Sequence, residues 1–355
     1  MSQTYTLAKD DVKKFVAAVK DEFNVYGPVP KRGTHIFDSL DDVDRLDLSY
    51  DNSMMSPKKY FLPPQEIMMH FDLKKKSVED AVNEIKTAKP QLLLGVHNCD
   101  IHGMLFLDKV FGGTYDDPYY QARRENTVIV GLNCMTPCNF GFCRSMNTYT
   151  VIEGYDLYLS EIAGDKYYVH VGTPKGDQLI SLAPDLFKEA TKKEIDAFKT
   201  AMNQKQKAFP LELSLDTITE TFNLGWEDPV WEEIGELCMN CGSCSLVCPT
   251  CYCYDVKDDV NLSITSADRT RRWSNCLYHD FALVAGPHNF RGSRPARLKY
   301  RFYHKLNGAV KEQGMIACTG CGRCHEHCPA DISILDTLRK LQENWAAVPP
   351  LTGGK

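Results

Sequence analysis

Residues 238–249, CMNCGSCSLVCP, and residues 318–329, CTGCGRCHEHCP, decide how this chain is read. Each is C-x2-C-x2-C-x3-C-P, the spacing of a bacterial [4Fe–4S] ferredoxin loop. Three cysteines at intervals of three form a tight loop that offers three sulfurs to one cube. The glycines let the backbone close on that cube, and proline after the fourth cysteine redirects the chain. In proteins holding two cubes, the fourth cysteine of each run ligates the other cluster. One cluster is therefore assigned to Cys238, Cys241, Cys244 and Cys328, and the second to Cys318, Cys321, Cys324 and Cys248. The alternative is two zinc sites, but zinc motifs rarely carry a third cysteine in phase and a trailing Cys-Pro.

About seventy residues separate the runs, far more than a small β-α-β ferredoxin uses. In RPARLKYRFYHKLNGAVKEQG, Leu298, Phe302, Leu306 and Val310 recur on one helical face. Residues 226–345 are thus expected to form a mainly α-helical dicluster ferredoxin domain with a long helical insert over 252–316. The insert also carries Arg291, Arg294, Arg297, Lys299, Arg301 and Lys305. A solvated helix face is the plain reading, and docking or neutralisation of cluster charge is the sharper one.

Upstream, residues 1–225 read as a mixed domain, α+β or α/β. SVEDAVNEIKTAK places Val78, Val82 and Ile85 at helical spacing behind Ser77, a suitable N-cap. QLLLGV and TVIVGL read as buried strands joined through helical segments, so the two are expected to lie parallel and adjacent. Each runs into a cysteine, Cys99 and Cys134, which places both at the sheet edge where open α/β sheets put ligands. YDLYLSEIAGDKYYVHVG reads as a hairpin turning at Gly164-Asp165. A charged helix follows over 186–209 and ends before Pro210. The tail over 346–355 is expected to be loosely ordered.

The chain has 355 residues, 43% hydrophobic and 25% charged, with 41 basic and 47 acidic side chains giving a net charge of −6. That composition is globular, and the mildly acidic balance argues against a nucleic-acid partner. No run approaches the ~18 apolar residues of a membrane span. The start, MSQTYTLAKDDVKKFVAAVKDEF, is amphipathic with no apolar signal core. Fifteen cysteines, an odd number, fit metal ligation in a reducing cytoplasm better than a disulfide framework.

Seven cysteines lie outside the two ferredoxin quartets. Cys99, Cys134, Cys138 and Cys143 gather near one sheet edge and suggest a third [4Fe–4S] cluster, with zinc or simple packing as alternatives. His97 and His102 flank Cys99 and read as ordinary polar residues. Cys251, Cys253 and Cys276 are surplus. They either pack beside a cube and tune it, or form an extra site with His279 or His288 as a fourth ligand.

KKYFLPPQEIM, GVHNCDIHGM, DPYYQARRENTVIVGLNC, CPTCYCYDV, RRWSNCLYHDFALVAGPHNFR and RLKYRFYHK, with the second ferredoxin run, carry a resemblance over about 58–335. The chain resembles the iron–sulfur subunit shared by sulfhydrogenase (its beta subunit) and anaerobic sulfite reductase (its A subunit). The resemblance implies an electron carrier without substrate chemistry of its own. Its implied partners are a flavoprotein subunit handling FAD and NAD(P)H, and a catalytic subunit of hydrogenase, sulfite or sulfur reductase, or heterodisulfide reductase type. It also implies cluster ligation by the eight cysteines of the two runs. Cys134 and Cys143 match the family pattern, whereas Cys138 does not: the family ends this loop Cys-Phe-Cys, and here it reads Gly141-Phe142-Cys143.

Neither GxGxxG nor GxxxxGK[ST] is present, so nucleotides are expected to be handled by a partner. The rival to an electron carrier is a reductase using Cys251, Cys253 and Cys276 on a disulfide or sulfur substrate.

Overall fold

The computed structural model describes residues 4–113 and 115–345; the 346–355 tail lies outside the described residues. The strands are β1 (Thr4–Ala8), β2 (Asn24–Lys31), β3 (Thr34–Ser39), β4 (Gln65–Asp72), β5 (Ser77–Asp80), β6 (Gln91–His97), β7 (Thr127–Leu132), β8 (Leu157–Ile162), β9 (Lys166–Val171), β10 (Phe187–Glu189), β11 (Tyr254–Val260) and β12 (Ser266–Trp273). Ten of these lie before residue 225 and two after it.

The large sheet has the order β10-β1-β9-β8-β7-β6-β2-β3. Its centre, β2, β6, β7 and β8, is parallel, and Leu92 pairs with Val128 and Leu93 with Ile129. Leu92, Leu93, Leu94, Val128, Ile129 and Val130 are all buried. Strands covered on both faces read as unbroken apolar runs, which is why QLLLGV and TVIVGL are recognisable. The β8–β9 hairpin turns where Gly164-Asp165 predicts. The charged helix is Lys192–Ala208, shorter than the sequence suggests because Phe187–Glu189 instead extends the sheet beside β1. Thr191 and Glu194 close a reciprocal capping box at its start.

Two expectations need correction. Where the spacing predicts one helix from Ser77, residues Ser77–Asp80 form a strand paired with β4, and the helix is only Val82–Thr87. Ala81, not Ser77, stands at its N-cap, and Asp80 just before it accepts the Val82 N–H at 2.9 Å. Val78 is 57% exposed, so the helical apolar stripe has no core to meet at that residue. The second correction concerns the insert. Its first third is a β-hairpin, β11–β12, and apart from a 3-10 turn at His279–Ala282 helix begins only at Arg294.

This hairpin completes a four-stranded antiparallel sheet, order β11-β12-β4-β5, so strands from both sides of residue 225 share one ladder. The join is fixed by charge as well as hydrogen bonds. Arg271, 1% exposed, bonds Glu66 at 2.7 Å and also Asp117, while Arg123 reaches Glu66 at 2.6 Å. A buried arginine is tolerable only with such partners.

The helix Arg294–Tyr303 runs into a π-turn over His304–Gly308 and then Ala309–Gln313. Leu298, Phe302 and Leu306 face the core as the spacing predicts. The widened turn buries Lys305 through Ala309 in succession and leaves Val310 only partly covered. Leu298, Phe302 and Leu306 join Phe222, Trp231, Leu338 and Leu341 in a second core, whereas Ala309 packs in the core of the large sheet. No helix among the described residues is long and apolar enough to cross a membrane.

Candidate cluster-binding site

The first ferredoxin run starts where the helix Val230–Leu237 ends, and the second follows the helix Ala309–Gln313. Both cross the second core, and Cys238 and Cys318 are part of it. Cys238, Cys241, Cys244 and Cys328 line one cavity, together with Cys324 and the apolar side chains of Leu277 and Phe302. Cys248, Cys318, Cys321 and Cys324 line a second, with Phe142 and Thr319. The fourth cysteine of each run therefore stands with the first three of the other. Arg301 borders both cavities.

Backbone amides supply polar contacts to the sulfurs. Asn240 N–H points at Cys238 Sγ (3.4 Å) and Ile332 N–H at Cys328 Sγ (3.4 Å). Burial pushes the Cys318 thiol up to about 11, against the opposing effect of the Gly320 amide. A thiolate in such a place needs positive charge nearby. Lys305, 3% exposed, extends from the π-turn and donates to Thr250 Oγ1 at 2.7 Å, beside Cys248. Arg301, 3% exposed, donates to Cys244 O (3.1 Å) and Ser245 Oγ (3.4 Å). The basic helix is therefore not simply a solvated face. Arg297, Arg301 and Lys305 are buried, whereas Arg294 is exposed.

The sheet edge supplies the second group. Cys99 occupies the first turn of the helix Asn98–Phe111, directly after β6, and Cys134 lies two residues past β7. The Asn98 amide bonds the Cys134 sulfur, a use of the unpaired N–H groups at a helix start. Cys99, Cys138 and Cys143 each lie close enough to Cys134 for its charge to raise their pKa, and Cys321 acts on the same three. Burial is the larger effect and pushes Cys143 up to about 12. Lys205 faces Cys134 and Cys143, bonds Asn133 Oδ1, and is itself pushed down to about 8 by burial.

This edge and the second ferredoxin run are in direct contact. Phe142 N–H bonds Gly320 O at 2.8 Å, and Thr148 Oγ1 bonds Thr319 O at 2.6 Å. A Cβ on Gly320 (φ +62°) would stand 2.8 Å from Cys143 Cα, so only glycine allows the approach. Gly103 serves likewise on the helix behind Cys99, where a Cβ would strike Pro249 Cβ at 2.6 Å. Arg323, from the second run, is wholly buried. It forks onto Asp100 at 2.9 and 2.7 Å, donates to Ser53 O at 2.6 Å, and lies 3.9 Å from Cys99 Sγ.

His97 stacks on Tyr50 with centroids 4.0 Å apart, and burial pushes it down to about 3, so the ring is neutral. His102 bonds Thr150 O. His279 pairs with Asp280 on the surface and His288 is exposed. Cys251 instead lies beside Cys248, and Cys253 beside Cys276. Among the described residues no three His, Cys, Asp or Glu side chains form a group able to hold a single metal ion. A cube, by contrast, takes its ligands at four separate corners.

Sequence reasoning does not pick out Lys58, Lys205 or the Asp100–Arg323 pair. The basic residues of the insert are legible in the sequence, and Arg297, Arg301 and Lys305 recur every four residues, one step from Leu298, Phe302 and Leu306.

A family model described as a 4Fe-4S dicluster domain matches residues 237–332. Sulfhydrogenase 2 subunit beta of Pyrococcus furiosus is 37% identical to this chain over 330 residues, covering 93% of this chain and 96% of that one.

Proposed function

Because the chain belongs to the sulfhydrogenase beta-subunit family, we propose that it is the electron-carrying subunit of a cytoplasmic oxidoreductase complex. It passes single electrons between a flavoprotein subunit that handles NAD(P)H and a terminal catalytic subunit of hydrogenase, sulfite or sulfur reductase, or heterodisulfide reductase type. Cys238, Cys241, Cys244 and Cys328 hold one [4Fe–4S] cluster, and Cys318, Cys321, Cys324 and Cys248 hold the other. The observation that carries this reading is the exchange of fourth cysteines between two adjoining cavities. Cys99, Cys134, Cys138 and Cys143 hold a third cluster, supported by their convergence on Cys134.

A [4Fe–4S] cluster supplies one-electron chemistry whose potential follows its charge, hydrogen bonds and burial. The chain sets all three. Arg301 and Lys305 offset negative charge at the two quartets, and Lys205 and Arg323 do so at the third group. Leu277, Phe302 and Phe142 exclude water.

Iron and acid-labile sulfide analysis of the anaerobically purified chain tests the reading. Roughly 12 iron atoms per chain are expected, roughly 8 remove the third cluster, and none defeats the proposal. Identifying the subunits that co-purify with the native protein tests the partners.

A further inference from the structure

We propose that Cys253 and Cys276 form a redox-active dithiol couple that exchanges with low-molecular-weight disulfides, with Cys253 attacking and Cys276 resolving. Neither residue lines the two ferredoxin cavities, so the couple stands apart from the cluster reading and is tested independently of it.

The β11–β12 hairpin builds the pair. Cys253 immediately precedes β11, and Cys276 follows β12 by three residues. Tyr254 pairs with Trp273, and one step further Ser274 N–H bonds Cys253 O at 2.9 Å. A turn at Asn275, whose carboxamide oxygen accepts the Leu277 N–H at 3.0 Å, folds Cys276 back over the hairpin base. The hairpin base thus brings the two cysteines to the same end of the ladder, where each side chain acts on the other. Cys276 is buried at 8% exposure and Cys253 is partly open. An accessible attacking thiol with a covered neighbour is the arrangement that lets one thiol meet a disulfide while the other completes the exchange.

The surroundings are electropositive. Lys58 donates to Cys251 O at 2.8 Å and lies over the Trp273 ring at 4.5 Å; its charge reaches Cys253. Lys305 acts on both thiols and Arg301 on Cys276. Lys58 has no carboxylate within ion-pair distance among the described residues, whereas Arg301 and Lys305 also face the ferredoxin cysteines. A partly exposed thiol in such a field has the setting of a reactive cysteine.

In the step itself, the Cys253 thiolate attacks one sulfur of R–S–S–R, forming the mixed disulfide and releasing RS⁻. The Cys276 thiol loses its proton and attacks the Cys253 sulfur, closing the Cys253–Cys276 bond and releasing the second RS⁻. The two thiol protons end on two RSH, and the two electrons pass from the dithiol to the small disulfide.

The test uses the full cluster-loaded chain held anaerobically with excess glutathione disulfide, then alkylation and peptide mass analysis. The wild type should contain a Cys253–Cys276 bond. Cys276→Ser should retain glutathione on Cys253, with Cys276→Ala repeating the trap if serine disrupts folding. Cys253→Ser should leave Cys276 unmodified. Iron content of the variants should equal that of the wild type. No internal bond in the wild type at equilibrium, an adduct placed elsewhere, or loss of a cluster's iron from either variant overturns the proposal.

Discussion

Replacing Arg323 by Gln removes the cation from a pair in which neither side chain has any exposure. The substitution breaks both contacts to Asp100, at 2.9 and 2.7 Å, and the 2.6 Å bond to Ser53 O. Asp100 is then left as an uncompensated charge in a dry interior, which costs about 3–5 kcal/mol. The exposed Lys13–Asp44 pair has similar geometry at 2.7 Å, yet water screens it and its loss should leave stability nearly unchanged. Thermal unfolding of the holoprotein under anaerobic conditions compares the two directly. Arg323→Gln should lower Tm by roughly 5 °C or more, with Lys13→Ala close to wild type, given about 2–4 °C per kcal/mol in a sizeable domain. Adding Asp100→Asn to the first variant should recover part of the loss, because the stranded charge is gone. Equal Tm values for Arg323→Gln and Lys13→Ala, or no recovery in the double variant, would refute the reasoning.

Cys328→Ser, although it lies in the second run, should weaken the cluster held by the first; loss of about four iron atoms with retention of the other cluster's spectrum checks this. Cys134→Ser should remove about four iron atoms and leave the ferredoxin pair intact; unchanged iron would show that this cysteine only packs. Thr191→Ala opens the capping box of the helix Lys192–Ala208 and should cost about 1 kcal/mol in denaturant titration, without changing iron content.

Much of the candidate site is legible in the sequence because ferredoxin spacing is local: three ligands lie within seven residues and share one loop. The parallel pair β6–β7 is legible for a similar reason, since burial on both faces leaves unbroken apolar runs. The β11–β12 hairpin is harder to read. Its first strand is exposed along its whole length, its two strands are tied by cross-strand ion pairs such as Asp258–Arg269 and Asp259–Arg272, and its place in the fold comes from β4, about two hundred residues earlier. Asp100–Arg323 is harder still. Its members are 223 positions apart, and Arg323 stands at a spacer position where the motif sets no requirement.

The exchange of fourth cysteines has a consequence for biosynthesis. Cys238, Cys241 and Cys244 leave the ribosome well before Cys328, and Cys248 precedes Cys318 by about seventy residues. At roughly 5–20 residues per second, the first run waits about 4–14 s before its counterpart begins to emerge. Neither cube can acquire its full set of thiolates until both runs and the insert between them have emerged, as far as Cys324 for one cluster and Cys328 for the other, so cluster insertion cannot keep pace with synthesis of the first run.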